Sequence, residues 1–336
     1  MKALYFEKTG EIENLRFAEL PSSKQQLGSN QVRLKFLAGG LNHLDLWVLK
    51  GLPRVRYQFP HIAGADFCGE VVESNSPQWS LGQRAVVYPV VASTAPENLS
   101  ADFKVRGENF PGVFCEELIV EASELFPLPT HLSAEEGAAF PLMYLTAWQM
   151  LVEKATLPIS GKVIVHGAGS GVTHALLDLL THFDVSSVAV TSRDEKKLYE
   201  WKAKGFTCFV ASTNLKDELR SWVGQEGAAV IFDHIGEAYF EMNTGLLRRG
   251  GKFITCGATS GFEGRIDLRH LYFKQLQLIG STMGSRKAFA DLLGFIEAKR
   301  LKPRIGHEFE LSNAPKGYTL MESGQQNGKI IFRMAP

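Results

Sequence analysis

A chain of 336 residues with 36 Lys+Arg against 36 Asp+Glu has no net formal charge, and its 45% hydrophobic and 21% charged residues are the composition of a folded protein of about two domains. That neutral chain lacks the basic balance expected of a nucleic-acid binder. The four cysteines, Cys68, Cys115, Cys208 and Cys256, are widely spaced with no C-x-x-C pair, which excludes a readable disulfide framework or cysteine zinc knuckle. The opening residues lack the apolar core of a signal peptide. The longest uncharged apolar stretch, 137–152, is shorter than the roughly 18–20 residues that span a bilayer and holds Pro141 and Gln149. A soluble protein of a reducing compartment, cytoplasmic and without a membrane partner, is the expectation.

In chain order, MKALYFEK (1–8), NLRFAEL (14–20), QVRLKFLAGGL (31–41), FCGEVVES (67–74), QRAVVYPV (83–90) and FCEELIVEA (114–122) are β-branched and aromatic runs broken by Gly, Pro, Asn and Ser. They predict a compact β domain over about the first 130 residues. Residues 91–111 have little periodicity and read as a long lobe, a length that usually serves or once served a function. A capping box, Ser133-Ala-Glu-Glu136, opens a helix. Strands and helices then alternate: strand 162–166, helix 172–183, strand 187–191, helix 193–204 closed by Gly205, strand 207–210, helix 215–223, strand 228–233, helix 238–247 and strand 251–256. Apolar strands alternating with helices predict a parallel sheet covered on both faces. From about Leu276 the pattern returns to mixed strands and one helix.

VIVHGAGSGV (163–172) takes a buried strand through glycines into an apolar helix. Small residues there allow an unusual turn and close backbone approach to a pyrophosphate, and the helix N-terminus offers free N–H groups to that anion. Gly167, Ala168, Gly169, Ser170, Gly171, Val172 and Thr173 are the candidate phosphate loop, with Thr173 standing where a third glycine often sits. A plain βα turn is the alternative. The next strand ends in Thr191-Ser192-Arg193, with Lys196 and Lys197 one turn on. An NAD site usually places Asp or Glu there, whereas cations suit a 2′-phosphate. One charge-assisted hydrogen bond is worth roughly 1.5–3 kcal/mol, about ten- to a hundredfold in favour of NADP(H). Ser192, Arg193 and Lys197 are its candidate contacts. Ser192 to Glu195 is also a possible capping box, and both readings can hold.

The chain resembles the medium-chain dehydrogenase/reductases through GLNHLDLWVLKGL (40–52), PHIAGADFCGEVVE (60–73), FPLMYLTAWQML (140–151), the phosphate loop, GGKFITCGATSG (250–261), LIGSTMG (278–284) and GKIIF (328–332). The resemblance implies an α/β architecture: a GroES-like β-barrel built from both chain ends (1–129 and 276–336) and a Rossmann domain between them (130–275), with a substrate cleft at their junction and usually a homodimer. It implies further cofactor contacts at His234, Gly236, Gly257, Ala258, Thr259, Ser281, Thr282, Met283 and Lys329. Backbone groups of Gly257, Ala258 and Met283 would hold the nicotinamide carboxamide.

Zinc members of the family carry metal ligands where this chain has Asn42, Ala65 and Leu142, and a relay hydroxyl where it has Leu44. Their structural-zinc lobe carries four cysteines, and 91–111 has none. The resemblance therefore implies a zinc-free reductase. Asn42 and Thr146 stand where nicotinamide or substrate is met, with Tyr144 and Asp45 as further catalytic candidates. Each has a plainer reading: a turn-capping Asn42, an Asp45 that buttresses that turn, a Tyr144 in the core, a Thr146 bonded to its own helix. Asp66, Cys68 and Glu70 share one strand face and read as partly exposed. His43 and His61 read as core histidines as readily as catalytic ones, and Cys256 as packing. The expected chemistry is hydride transfer from NADPH to a small electrophile, a quinone or an α,β-unsaturated carbonyl, because a conjugated acceptor needs least help from a missing Lewis acid. A zinc alcohol dehydrogenase and a nucleotide-binding protein without turnover are the alternatives.

Overall fold

Strand Gln31–Leu41 organises the N-terminal β-structure. Its alternation sends Val32, Leu34 and Phe36 inward and leaves Lys35 in solvent, with Arg33 paired across the ladder to Glu73 and Glu117. The computed structural model describes residues 1–21, 26–53 and 55–334, and every side chain among them except that of Ser186; residues 335 and 336 of the expected barrel segment lie outside this range. The strand pairs antiparallel with Asp66–Ser74, Glu117–Glu121 and Lys329–Arg333, and the sheet continues to Arg84–Val87 and Leu125–Pro127 on one side and Ile305–Glu310 on the other. Both chain ends thus complete one GroES-like β-structure. Its core includes Phe67, Phe114 and Phe332, with Phe114 edge-on to Phe332 at 5.5 Å. Each buried phenylalanine contributes about 1.5–3 kcal/mol.

The 91–111 lobe is fastened by charge. Asp102 accepts from Ser93 N and Ser100 Oγ, Arg106 meets Glu124 at 2.7 Å in a buried ion pair, and Glu97 accepts the Arg286 backbone N–H at 2.9 Å.

The other β-structure is a six-stranded parallel sheet. Its strands are Ile159–Val165, Val185–Ser192, Thr207–Val210, Ala228–Asp233, Leu247–Thr255 and Gln277–Gly280. In sheet order they run third, second, first, fourth, fifth, sixth, the Rossmann arrangement whose order reverses at the first strand. All of Ala228–Asp233 is buried, as a central strand covered on both faces requires. Helix Leu215–Val223 presents Leu215, Leu219 and Val223 to this core at i, i+4 and i+8.

Some elements differ from the sequence expectation. The helix expected over 193–204 is a tight turn, Glu195–Leu198, leading into Tyr199–Ala203, because Asp194 caps at Lys196 N and starts it later. The C-terminal stretch has two α-helices, Arg286–Lys299 and Ala314–Glu322; Pro315 and Gly317 mask the second in the pattern. Strand Gln277–Gly280 belongs to the parallel sheet through its ladder with residues 252–255. The chain divides into two units, Met1–Leu145 with Gly284–Pro336, and Thr146–Met283. The first limit lies past 129/130 because helix Ala134–Ala139 packs on the barrel strands, a Cβ on Gly137 standing 3.1 Å from Cys68 Sγ, and the second lies past 275/276 because strand Gln277–Gly280 joins the parallel sheet. The capping box at Ser133 and Glu136 forms as expected. Among the described residues no helix is long and apolar enough to cross a membrane.

Gly40 is the tightest point of that packing. A Cβ there would stand 2.3 Å from Ala138 O and 2.7 Å from Lys329 Cε. Gly40→Ala should therefore destabilise the protein by about 1–3 kcal/mol, read as a lower urea midpoint. An unchanged midpoint would mean that the helix does not seat against strand 31–41.

Candidate active site

Lys329 heads a strand whose next three residues, Ile330, Ile331 and Phe332, are fully buried, and it is itself only 6% exposed. Its ammonium lies 2.7 Å from Asp66 Oδ2 and 2.6 Å from Asn42 Oδ1. Asp66 Oδ2 also accepts from Asn42 Nδ2 at 2.9 Å, and Oδ1 accepts the backbone N–H of Leu142 at 2.8 Å, in the first turn of helix Pro141–Trp148. Asn42 Nδ2 reaches Gly40 O at 3.3 Å as well. A lysine can only donate and an ionised carboxylate can only accept, so the amide has one workable orientation. Both its hydrogens are engaged, and its Oδ1 faces the ammonium, so the amide is left as an acceptor only.

Asp66 and Cys68 are 0% exposed, not the partly exposed face expected. The strand lies between two others, helix Ala134–Ala139 covers Cys68, and Lys329 supplies the charge that lets a carboxylate stay inside. Burial pushes the Cys68 thiol up to about 12. The sequence signal for this site was a lysine at the head of an otherwise apolar strand, which needs an anion to be buried.

Asp45 stands in the first turn of helix His43–Lys50, where its Oδ2 accepts Asn42 N at 2.7 Å. Asn42 is the N-cap residue of that helix and shares a capping box with Asp45, while its side chain also bonds to Asp66 and Lys329. Asp45 Oδ1 has no hydrogen-bond partner, and burial raises the carboxyl to about 7. His43 is exposed. His61 is a core histidine, 3.1 Å from Gly107 O and packed on Phe6 and Tyr57, and its burial lowers its pKa. Tyr144 is fully buried.

In the parallel-sheet unit the expected loop turns at Gly167, whose φ of +79° favours glycine and whose Cβ would stand 2.4 Å from the His234 ring. Gly167 N and Ala168 N both donate to Thr191 O, and Ser170 caps helix Gly171–Leu180. Thr173 Oγ1 donates to His166 O at 2.9 Å, so a hydroxyl ties helix to strand where glycine often sits. The Lys197 stem lies across the loop, 2.8 Å from a Cβ position on Gly169. Arg193 is exposed beside it, and Ser192 Oγ accepts Asp194 N; Asp194, not Ser192, is the cap of the following turn. Glycines, helix terminus and cations fit a dinucleotide phosphate.

Buried His166, unmarked as functional in the sequence, holds the loop from behind. Its Nδ1 meets Thr191 Oγ1 at 2.9 Å and its Nε2 meets Asn243 Oδ1 at 2.7 Å, and burial lowers it to about 4. The only hint was its place directly before Gly167. His234, Gly236, Gly257, Ala258 and Thr259 come together past the C-terminal ends of strands Ala228–Asp233 and Leu247–Thr255: Gly236 N donates to Asp233 Oδ2 and Thr259 N to His234 O. Ser281 N donates to Thr255 O, Thr282 is exposed, and left-handed Met283 lies 3.9 Å by its sulfur from Thr146 Oγ1. Carboxyl ends of parallel strands are where such sheets take ligands. Asn42, Asp45, Tyr144 and Lys329 belong to the barrel unit and the remaining candidates to the other.

Residues 28–130 match the family described as "Alcohol dehydrogenase GroES-like domain" and residues 171–298 that described as "Zinc-binding dehydrogenase". The chain is 25% identical to a crotonyl-CoA carboxylase/reductase of Cereibacter sphaeroides, over 93% of this chain and 81% of that one. It is 23% identical to the quinone oxidoreductase of Homo sapiens, over 90% and 89%. A crystal structure of an NAD-dependent alcohol dehydrogenase superposes with a TM-score of 0.91 at 33% identity, covering 100% of both chains.

A catalytic zinc takes three protein donors. Ala65 and Leu142 have no side-chain donor, and Asn42 Oδ1 already faces an ammonium. Among the described residues no group of three or more His, Cys, Asp or Glu could hold a metal ion. The residues present do not fit the zinc.

Asp45 gives the barrel a defined pH dependence. Its carboxyl rises from 3.8 to about 7, so between those values the native state holds a proton that the unfolded chain has lost, and stability falls as pH rises through that window. Asp45→Asn removes this loss. Its stability relative to the parent should improve by about 2 kcal/mol between pH 5 and pH 8 in urea denaturation. The comparison cancels His166, whose low pKa acts with the opposite sign. A difference that does not change with pH would show Asp45 ionised throughout.

Proposed function

Because the chain belongs to the medium-chain dehydrogenase/reductase family of oxidoreductases, we propose that it is a zinc-independent, NADPH-dependent reductase of a quinone or an α,β-unsaturated carbonyl. The observation that carries this reading is the lysine-centred network at Asn42, Asp66 and Lys329, in the segments where the resemblance puts zinc ligands. Bound NADPH supplies the hydride. Gly167 to Thr173 bind its pyrophosphate through backbone N–H groups and the helix N-terminus. Arg193 and Lys197, with Ser192, take the 2′-phosphate, and His234, Gly236, Gly257 to Thr259 and Ser281 to Met283 line the rest of its path. Asn42 can act only as an acceptor, which suits the amide hydrogens of the nicotinamide carboxamide better than a substrate carbonyl. Thr146 and Tyr144 stay in this reading as neighbours of the reacting groups, and the proton that completes reduction comes from water or a cleft hydroxyl. A conjugated acceptor spreads the arriving charge over several atoms, which lessens the need for a Lewis acid that is worth several kcal/mol elsewhere. A homodimer and a cytoplasmic setting belong to the same reading, and four free thiols suit a reducing compartment.

NADPH oxidation should be measured against a panel of quinones and enones, with elemental analysis of the same preparation. Turnover at metal content near zero is the expected outcome. One zinc per chain with alcohol oxidation would establish the zinc dehydrogenase instead, and NADPH binding without turnover on any electrophile would leave a nucleotide-binding protein.

Arg193→Ala should weaken NADPH by about tenfold or more while NADH changes little, since one charge-assisted bond to the 2′-phosphate is lost. Titration by cofactor fluorescence decides this. Equal loss for both cofactors would assign Arg193 to general charge or packing.

A further inference from the structure

Asn42, Ala65 and Leu142 mark three chain segments that a metal would tie together in zinc members of the family. Here the same segments are tied by one ion pair. Asn42 bonds to Lys329 and Asp66; Asp66 directly follows Ala65; and the Leu142 N–H bonds to Asp66. The tie comes from the far end of the chain, since Lys329 is 287 residues from Asn42 and 263 from Asp66. Its route is built in: Gly40 lacks the Cβ that would strike Lys329 Cε. Without the ammonium, Asn42 Oδ1 would lose this donor, and the buried Asp66 carboxylate would keep only the neutral N–H donors of Asn42 Nδ2 and Leu142 N, with Asp45 Oδ1 also unpartnered nearby.

We propose that Lys329 is the resident cation of this site, a positioning residue whose ammonium holds Asn42 and Asp66 in register as a metal would hold its ligands, and whose place a diffusible primary ammonium ion can take. The ligand class follows from the donors required. Two short N–H···O bonds are made by the lysine, and the surrounding atoms are oxygens that accept them. A quaternary ammonium carries the charge without N–H donors and cannot replace it. The step from site to reaction rests on the proposed function, because it acts through Asn42.

The test uses Lys329→Ala with methylammonium and tetramethylammonium chloride at equal ionic strength. The thermal midpoint of the variant should fall, and methylammonium should raise it saturably while tetramethylammonium does not; the parent should respond to neither. In turnover with NADPH and a conjugated acceptor, kcat should drop about 100-fold, the scale on which lost positioning or electrostatic groups act, with NADPH affinity within about threefold. Methylammonium should restore part of kcat. Should Lys329→Ala fail to fold, Lys329→Ala combined with Asp66→Asn removes both charges and leaves neutral partners; it should fold and show the same kcat loss. Equal response to the two ammonium salts, or none, overturns the cation site. Loss of NADPH affinity with kcat intact makes Lys329 a cofactor ligand and overturns the positioning role. If the parent turns over no acceptor, the proposed function fails and takes the positioning role with it, while the midpoints still decide the cation site.

Discussion

A buried carboxylate and a buried ammonium are each costly alone, by several kcal/mol after relaxation. In this barrel Asp66 and Lys329 exist because of one another. Their pairing constrains much around it. Strand Lys329–Arg333 must lie beside Gln31–Leu41, position 40 must be glycine, and the helix beginning at Pro141 must aim an N–H at Asp66. Truncating either charged partner would cost about 3–5 kcal/mol, more than any single apolar contact in the barrel core contributes.

The same arrangement narrows the chemistry. An amide with both hydrogens engaged cannot polarise a carbonyl by donating to it, so Asn42 is left an acceptor. Asp45, which supports the Asn42 turn, has its carboxyl raised to about 7 by burial, so it carries less negative charge near neutral pH than an exposed carboxylate would. In the proposed function these electrostatics suit a site that orients reactants while a cofactor supplies the hydride. The parallel-sheet unit has its own features by the glycine loop: helix N-terminal N–H groups, a left-handed glycine and two nearby cations, held from behind by a buried histidine.

Local pattern made most of the fold legible. Strand 31–41 and strands 207–210 and 228–233 are where alternation and apolar runs put them, as is helix 215–223. The glycine loop was legible for the same reason, since strand, small residues and helix are contiguous. Elements whose identity depends on a distant partner were not. Strand Gln277–Gly280 reads alike in either domain, and only its ladder with residues 252–255 decides. Asp66 and Cys68 looked half exposed because a strand's alternation does not say which helix covers its face.

By itself the sequence determined the two-part α/β plan, the glycine loop between strand and helix and the residue types at positions 42, 65 and 142, because those rest on spacing along the chain and on side-chain chemistry. Only the tertiary structure decided which groups stand in their place. Lys329 and Asp66 are 263 residues apart, and no periodicity links them. They meet because antiparallel pairing lays the last strand against Gln31–Leu41, and because a charge excluded from water is stable only where the fold brings it an opposite one.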